Sequence, residues 1–63
     1  MKEFNLIAFQ KAFVRRFQEV DRRYRWRTSN AARRHLIMLG YTFDQAIHIV
    51  EDAKDVAHLE ARL

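Results

Sequence analysis

The stretch Gly40-Tyr41-Thr42-Phe43-Asp44-Gln45 decides how this chain folds. Thr42 and Gln45 have the spacing of a capping box. In that motif the threonine hydroxyl takes a free backbone N–H at a helix start, and the glutamine side chain reaches back to the cap residue. Asp44, in the first turn, suits the positive end of the helix dipole. Gly40 is the only glycine in the chain, and glycine is the residue type that turns the backbone left-handed just past a helix C-terminus. One helix therefore ends and another begins across this short segment.

Downstream, Ala46, Ile49, Val50, Ala53, Val56, Ala57 and Leu59 recur at helical spacing. They predict a helix to about residue 61 with a broad apolar face of mostly small side chains, which another helix can approach closely. Upstream, Ala31, Ala32, His35, Leu36 and Leu39 predict a short helix over about residues 30–39. Thr28, Ser29 or Asn30 is expected to cap it, since these side chains compete for backbone hydrogen bonds and favour helix starts. Further upstream, Leu6, Phe9, Phe13, Phe17, Val20 and Tyr24 follow one another at three or four residues. That stripe predicts a single long helix from about residue 3 to about residue 27, with Lys11, Arg15 and Arg22 on its other side. Proline is absent.

The expected fold is all-α: a single domain over residues 1–63, three helices (long-short-long) joined by tight turns in a small bundle. A chain of 63 residues buries only about 60% of the surface its unfolded form exposes. Chains of this size commonly add a disulfide, a metal or a partner chain. The absence of cysteine excludes disulfides and Cys-ligated zinc. With 49% hydrophobic residues there is much to hide, so a homodimer is expected to complete the bundle. No apolar run approaches the roughly 20 residues that cross a bilayer. The apolar stretch near the start is interrupted by Asn5 and ends at Gln10-Lys11 with no small-residue cleavage site after it. A secretory signal is not expected, and the cytoplasm is the expected location.

Chemistry of catalysis is sparse. The only serine, Ser29, stands among capping residues, and a lone glycine cannot form a phosphate-cradling loop. The chain is read as non-enzymatic and without a cofactor. His48, Glu51, Asp55 and His58, with Asp52 beside them, have metal-ligating side chains along one side of the last helix. Residues seven apart lie about 10 Å apart along a helix axis, so one ion reaches only an adjacent pair. The strip is read as the solvated face of an amphipathic helix, with no metal site.

The strongest functional signal is charge. Residues 1–34 carry ten Lys/Arg against three Asp/Glu, net +7, and residues 35–63 carry two against five, net −3. Arg15, Arg16, Arg22, Arg23, Arg25, Arg27, Arg33 and Arg34 crowd the first half, with Tyr24 and Trp26 interleaved. Arginine binds phosphate in bidentate fashion and stacks on bases, and aromatics mixed with it suit single strands or bent grooves. These arginines and Trp26 are the candidate nucleic-acid surface, on an Arg-rich first helix and the turn after it. Three other arrangements compete. The arginines can be a plain solvated face, can pair with Asp44, Glu51, Asp52, Asp55 and Glu60, or can meet an anionic membrane or acidic protein. Residues 30–55 also outline a helix-turn-helix in which Thr42, Phe43, Asp44, Gln45 and His48 would face bases, although the carboxylates further along that helix would repel phosphate. The expected role is a small regulatory nucleic-acid-binding protein, DNA in the first instance. The alternative is an interaction, adaptor or inhibitor module that grips another protein through apolar helix faces, with Phe9, Phe13, Phe17, Tyr24, Tyr41, Ile49 and Val56 as its interaction face.

Overall fold

The computed structural model describes residues 4–61. Three α-helices pack together: α1 (Leu6–Glu19), α2 (Arg25–Met38) and α3 (Phe43–Ala61), with a 3-10 turn over Arg22–Tyr24 between the first two. Both α1 and α2 pack against α3 and against each other. Among the described residues no helix is long and apolar enough to cross a membrane.

The turn between α2 and α3 follows the sequence closely. Gly40 has φ +110°. Its N–H donates to the Ile37 carbonyl (3.0 Å), and the Tyr41 N–H donates to the Leu36 carbonyl (3.1 Å), the pair of bonds that closes a helix in a Schellman motif. The capping box is formed in both directions. The Gln45 N–H donates to Thr42 Oγ1 at 3.1 Å, and the Thr42 N–H donates to Gln45 Oε1 at 2.9 Å.

The first half differs from the expected single helix over residues 3–27. Asn5 starts α1 by accepting from the Ala8 N–H (3.1 Å), but the helix stops at Glu19, and Val20 swings to an extended conformation (ψ 139°). Asp21 then caps a new start, with Oδ1 accepting the Arg23 N–H at 3.0 Å. The second helix consequently begins at Arg25, five residues before the expected position, and runs for as long as the first. Thr28, Ser29 and Asn30 lie inside it rather than at its cap. The expected long-short-long order is therefore corrected to two equal helices followed by a longer one.

The core is made by one face of each helix. Phe13, Val14 and Phe17 of α1 meet Ala32 and Leu36 of α2 and Ala46, Val50, Ala53 and Ala57 of α3, with Phe9, Tyr41 and Ile49 packed partly buried around them. The Phe13 and Phe17 rings stack with centroids 5.5 Å apart, and His58 meets Phe17 edge-on. The alanines of α3 supply little apolar area themselves. What they allow is close approach of the other two helices, so that Leu36 and the phenylalanines bury almost completely. At the far end Phe4, Phe9, His35 and Tyr41 form an aromatic cluster. A long-range tie joins the ends of α1 and α3, where Gln18 Nε2 donates to the Ala57 carbonyl at 3.2 Å.

Leu36 is wholly excluded from solvent. Leu36→Ala should cost about 2–5 kcal/mol, comparable with the entire stability of a domain this size, and urea denaturation monitored by circular dichroism would show a chain largely unfolded without denaturant. Ser29 is buried with its hydroxyl unpartnered. Removing an unsatisfied buried hydroxyl relieves a desolvation penalty, and alanine favours helix more than serine does. Ser29→Ala should therefore raise the urea midpoint, by about 1 kcal/mol of stability; a loss would mean that the hydroxyl has a partner.

Candidate nucleic-acid interface

The break at Val20 decides where the arginines go. Only Arg15 and Arg16 stay on α1; Arg22 and Arg23 lie on the 3-10 turn, and Arg25, Arg27, Arg33 and Arg34 belong to α2. The surface is thus centred on the second helix and its lead-in, not on an Arg-rich first helix. The α2 sequence, RWRTSNAARRHLIM, contains no carboxylate, so no acidic side chain of its own offsets these cations.

The eight arginines do not act as one set. Arg15 lines the groove between α1 and α3, and its Nε donates to Glu19 at 3.3 Å. Arg23 closes over Asp21 (3.5 Å). Arg25 turns inward: its guanidinium lies 4.8 Å from the centre of the Phe17 ring, and its Nε donates to the Val20 carbonyl at 3.4 Å. Arg25 therefore holds the corner together. Arg16 and Arg27 flank an open groove floored by Phe9, Ala12, Phe13 and Ala31, between α1 and α2. Arg33 donates to Asn30 Oδ1, and with Arg34 it borders a second hollow against Ile37, Met38 and Phe43. Among the described residues, Arg16, Arg22, Arg27, Arg33 and Arg34 have no carboxylate partner.

Among the described residues the acids of the second half form no ion pair with these arginines; the carboxylate that reaches α1 is Glu60, which accepts from Gln18 Nε2 at 3.3 Å. The ion pairs among the described residues are Arg15–Glu19, Arg23–Asp21 and Lys54–Glu51, all between residues at most four apart in sequence. Exposed pairs of this kind contribute little energy, and none joins α2 to α3. Asp44, Glu51, Asp52 and Asp55 lie on exposed positions of α3, away from its buried alanines. No three His, Asp or Glu side chains among the described residues gather into a metal-binding group.

The aromatic residues divide. Phe13 and Phe17 are core, and Phe9, Tyr41 and Ile49 are packed against it, so of the expected interaction face only Tyr24 and Val56 are substantially open to solvent. Trp26 is 58% exposed, and the Arg27 guanidinium lies 5.2 Å from its ring and 5.4 Å from that of Tyr24. At the start of α3, Gln45 commits its carbonyl and Thr42 its hydroxyl to the capping box, which leaves Phe43, Asp44 and His48 as the exposed side chains free of the cap there. Sequence periodicity did not single out Ile37, Met38 or Phe43, yet all three are exposed around the hollow beside Arg33 and Arg34.

Asp21 organises the corner electrostatically. The Arg23 N–H and then the Arg23 side chain, with Arg25 nearby, hold its carboxyl below the ordinary aspartate range. A carboxyl whose pKa falls on folding stabilises the fold fully above its unfolded value, and that contribution disappears as pH drops through the lowered folded value. Asp21→Ala should lower the melting temperature at neutral pH, and the gap to the unsubstituted protein should close as pH falls below about 4. A gap independent of pH down to acid would show that the charge of Asp21 contributes nothing. Comparison with known proteins finds no matching family model, no matching curated protein and no matching solved structure.

Proposed function

We propose that this chain is a small non-enzymatic regulatory protein that binds nucleic acid, and that it does so through the arginines of the α1–α2 corner and the outer side of α2. One observation carries this: a helix with four arginines and no carboxylate, none of whose guanidiniums is paired to the acidic helix beside it among the described residues. A basic surface without internal counter-ions attracts polyanions and releases their condensed counter-ions on contact. Arg16, Arg22, Arg27, Arg33 and Arg34 are the contact residues in this proposal, Trp26 adds a stacking face, Arg15 and Arg23 are taken up by Glu19 and Asp21, and Arg25 supports the corner. The protein would act as a homodimer in the cytoplasm, with DNA or RNA as partner.

A second role is favoured by a separate observation. Met38 is 79% and Phe43 64% exposed, next to Ile37 in the hollow between α2 and α3. Exposed apolar clusters rimmed by polar residues mark protein contacts, and this one suits either a second copy or a different protein.

The combined substitution Arg16→Ala, Arg27→Ala, Arg33→Ala and Arg34→Ala tests the first proposal, because none of these side chains is buried or belongs to the core cluster. Helical content should be unchanged by circular dichroism, whereas retention of nucleic acid in a gel shift at low salt should be lost. For the unsubstituted protein, the logarithm of affinity should fall against the logarithm of salt by about 0.7 to 0.9 for each phosphate contact. Binding that ignores salt, or survives removal of all four arginines, rejects the proposal and leaves the protein-docking role.

A further inference from the structure

We infer that the exposed stack of Tyr24, Arg27 and Trp26 is a base platform that makes the surface selective for single-stranded polynucleotide over duplex. The inference rests on the nucleic-acid role proposed above and specifies its substrate.

A stacking platform needs the face of a base. In a duplex those faces are covered by neighbouring bases, and a protein meets only edges and phosphates; in a single strand they are available to aromatic rings and guanidinium planes. Here such a platform is already assembled. Arg27 sits within 5.4 Å of the Tyr24 ring and 5.2 Å of the Trp26 ring, and Arg23 approaches Tyr24 at 5.8 Å. Tyr24 and Trp26 remain 46% and 58% exposed, so a base can extend the stack on an open ring face. Arg25, between the two aromatic residues in sequence, anchors the backbone that carries them on Phe17 and the Val20 carbonyl.

The surroundings fit one strand better than two. Asn30 and Arg33 follow Trp26 at four and seven residues on α2, which places them on the same side of the helix, and the Asn30–Arg33 hydrogen bond lies along that line. A strand stacked on Trp26 can run its phosphates toward Arg33 and Arg34. A duplex brings two phosphate strands and calls for basic surface on both sides of the contact. The neighbouring helix α3 instead exposes Asp44, Glu51, Asp52 and Asp55.

Trp26 is the only tryptophan in the chain, so its emission reports the contact directly. The full chain is titrated at low salt with oligothymidylate, oligouridylate and a DNA hairpin duplex, following tryptophan fluorescence and the anisotropy of labelled oligonucleotide. The expected result is quenching by at least one of the single strands and at least tenfold weaker binding of the hairpin; the two single-strand arms tell DNA from RNA. Trp26→Ala, read by anisotropy, should weaken single-strand binding roughly 5- to 150-fold, the range for loss of one base–aromatic stack, while Trp26→Phe should keep most of it. Circular dichroism confirms the fold of both variants. Equal or tighter binding of duplex, or Trp26→Ala binding single strands as well as the unsubstituted chain, overturns the inference while leaving nucleic-acid binding intact. Failure of all three probes to bind overturns the binding role itself.

Discussion

The turn at Val20 and Asp21 is the constraint from which the rest of the molecule follows. Had α1 continued in a straight line, the arginines from Arg22 onward would have extended past the end of the bundle. The remaining segment before Gly40 would then have been too short to cover α3. Instead Val20 leaves the helical conformation and Asp21 restarts the chain. The second helix packs back on the other two and brings Ala32 and Leu36 into the core. Breaking a helix forfeits backbone hydrogen bonds at the corner. The Asp21 cap, the Arg25 contacts with Val20 and Phe17 and the burial of Leu36, about 1.5–3 kcal/mol on its own, offset that loss.

What could be read from the sequence was local. The Gly40 turn and the Thr42–Gln45 capping box each involve residues a few positions apart, and short-range geometry is what residue type encodes most directly. The break was hidden because the stripe from Leu6 to Tyr24 keeps helical spacing straight through it. Val20 and Tyr24 match the period, yet Tyr24 is exposed and Val20 sits in the turn. The signal was Asp21, a capping residue standing before Arg22 and Arg23, and it was outweighed by the larger polar cluster Thr28-Ser29-Asn30. That cluster is accommodated inside α2 because tertiary packing overrides weak intrinsic preference. Ser29 is small enough to face the interior, at the expense of an unpartnered hydroxyl.

The candidate surface was legible as composition but not as geometry. Nothing in the run of arginines distinguishes Arg25, folded under the corner, from Arg27, which faces solvent between two rings. The choice depends on where the helix starts. The opposite charges of the two halves suggested mutual neutralisation, but Arg15 and Arg23 take Glu19 and Asp21 instead. Those carboxylates lie within four residues and are reached without ordering a distant side chain, so the entropic cost of pairing is small.

Amphipathicity itself keeps the two charge sets apart. Helix α3 buries Ala46, Val50, Ala53 and Ala57, and Asp44, Glu51, Asp52 and Asp55 occupy the other side, whereas Glu60 flanks the seam with α1; α2 buries Ala32 and Leu36, and Arg27 and Arg34 fall on the far side. Two helices that pack through their apolar faces point most of their charged side chains away from each other, so neutralisation within one molecule is confined to residues that flank the seam. The positive side consequently keeps a field that reaches about a Debye length, roughly 10 Å at 0.1 M salt. Along α2, Trp26 and Ile37 are eleven residues apart in sequence, about 16 Å at the helical rise. A protein seated on Ile37, Met38 and Phe43 at the C-terminal end of α2 would therefore leave the aromatic–arginine stack at its N-terminal end uncovered. Arg33 and Arg34 border that hollow as well, so in the proposed roles a docked protein and a polyanion would share those two arginines.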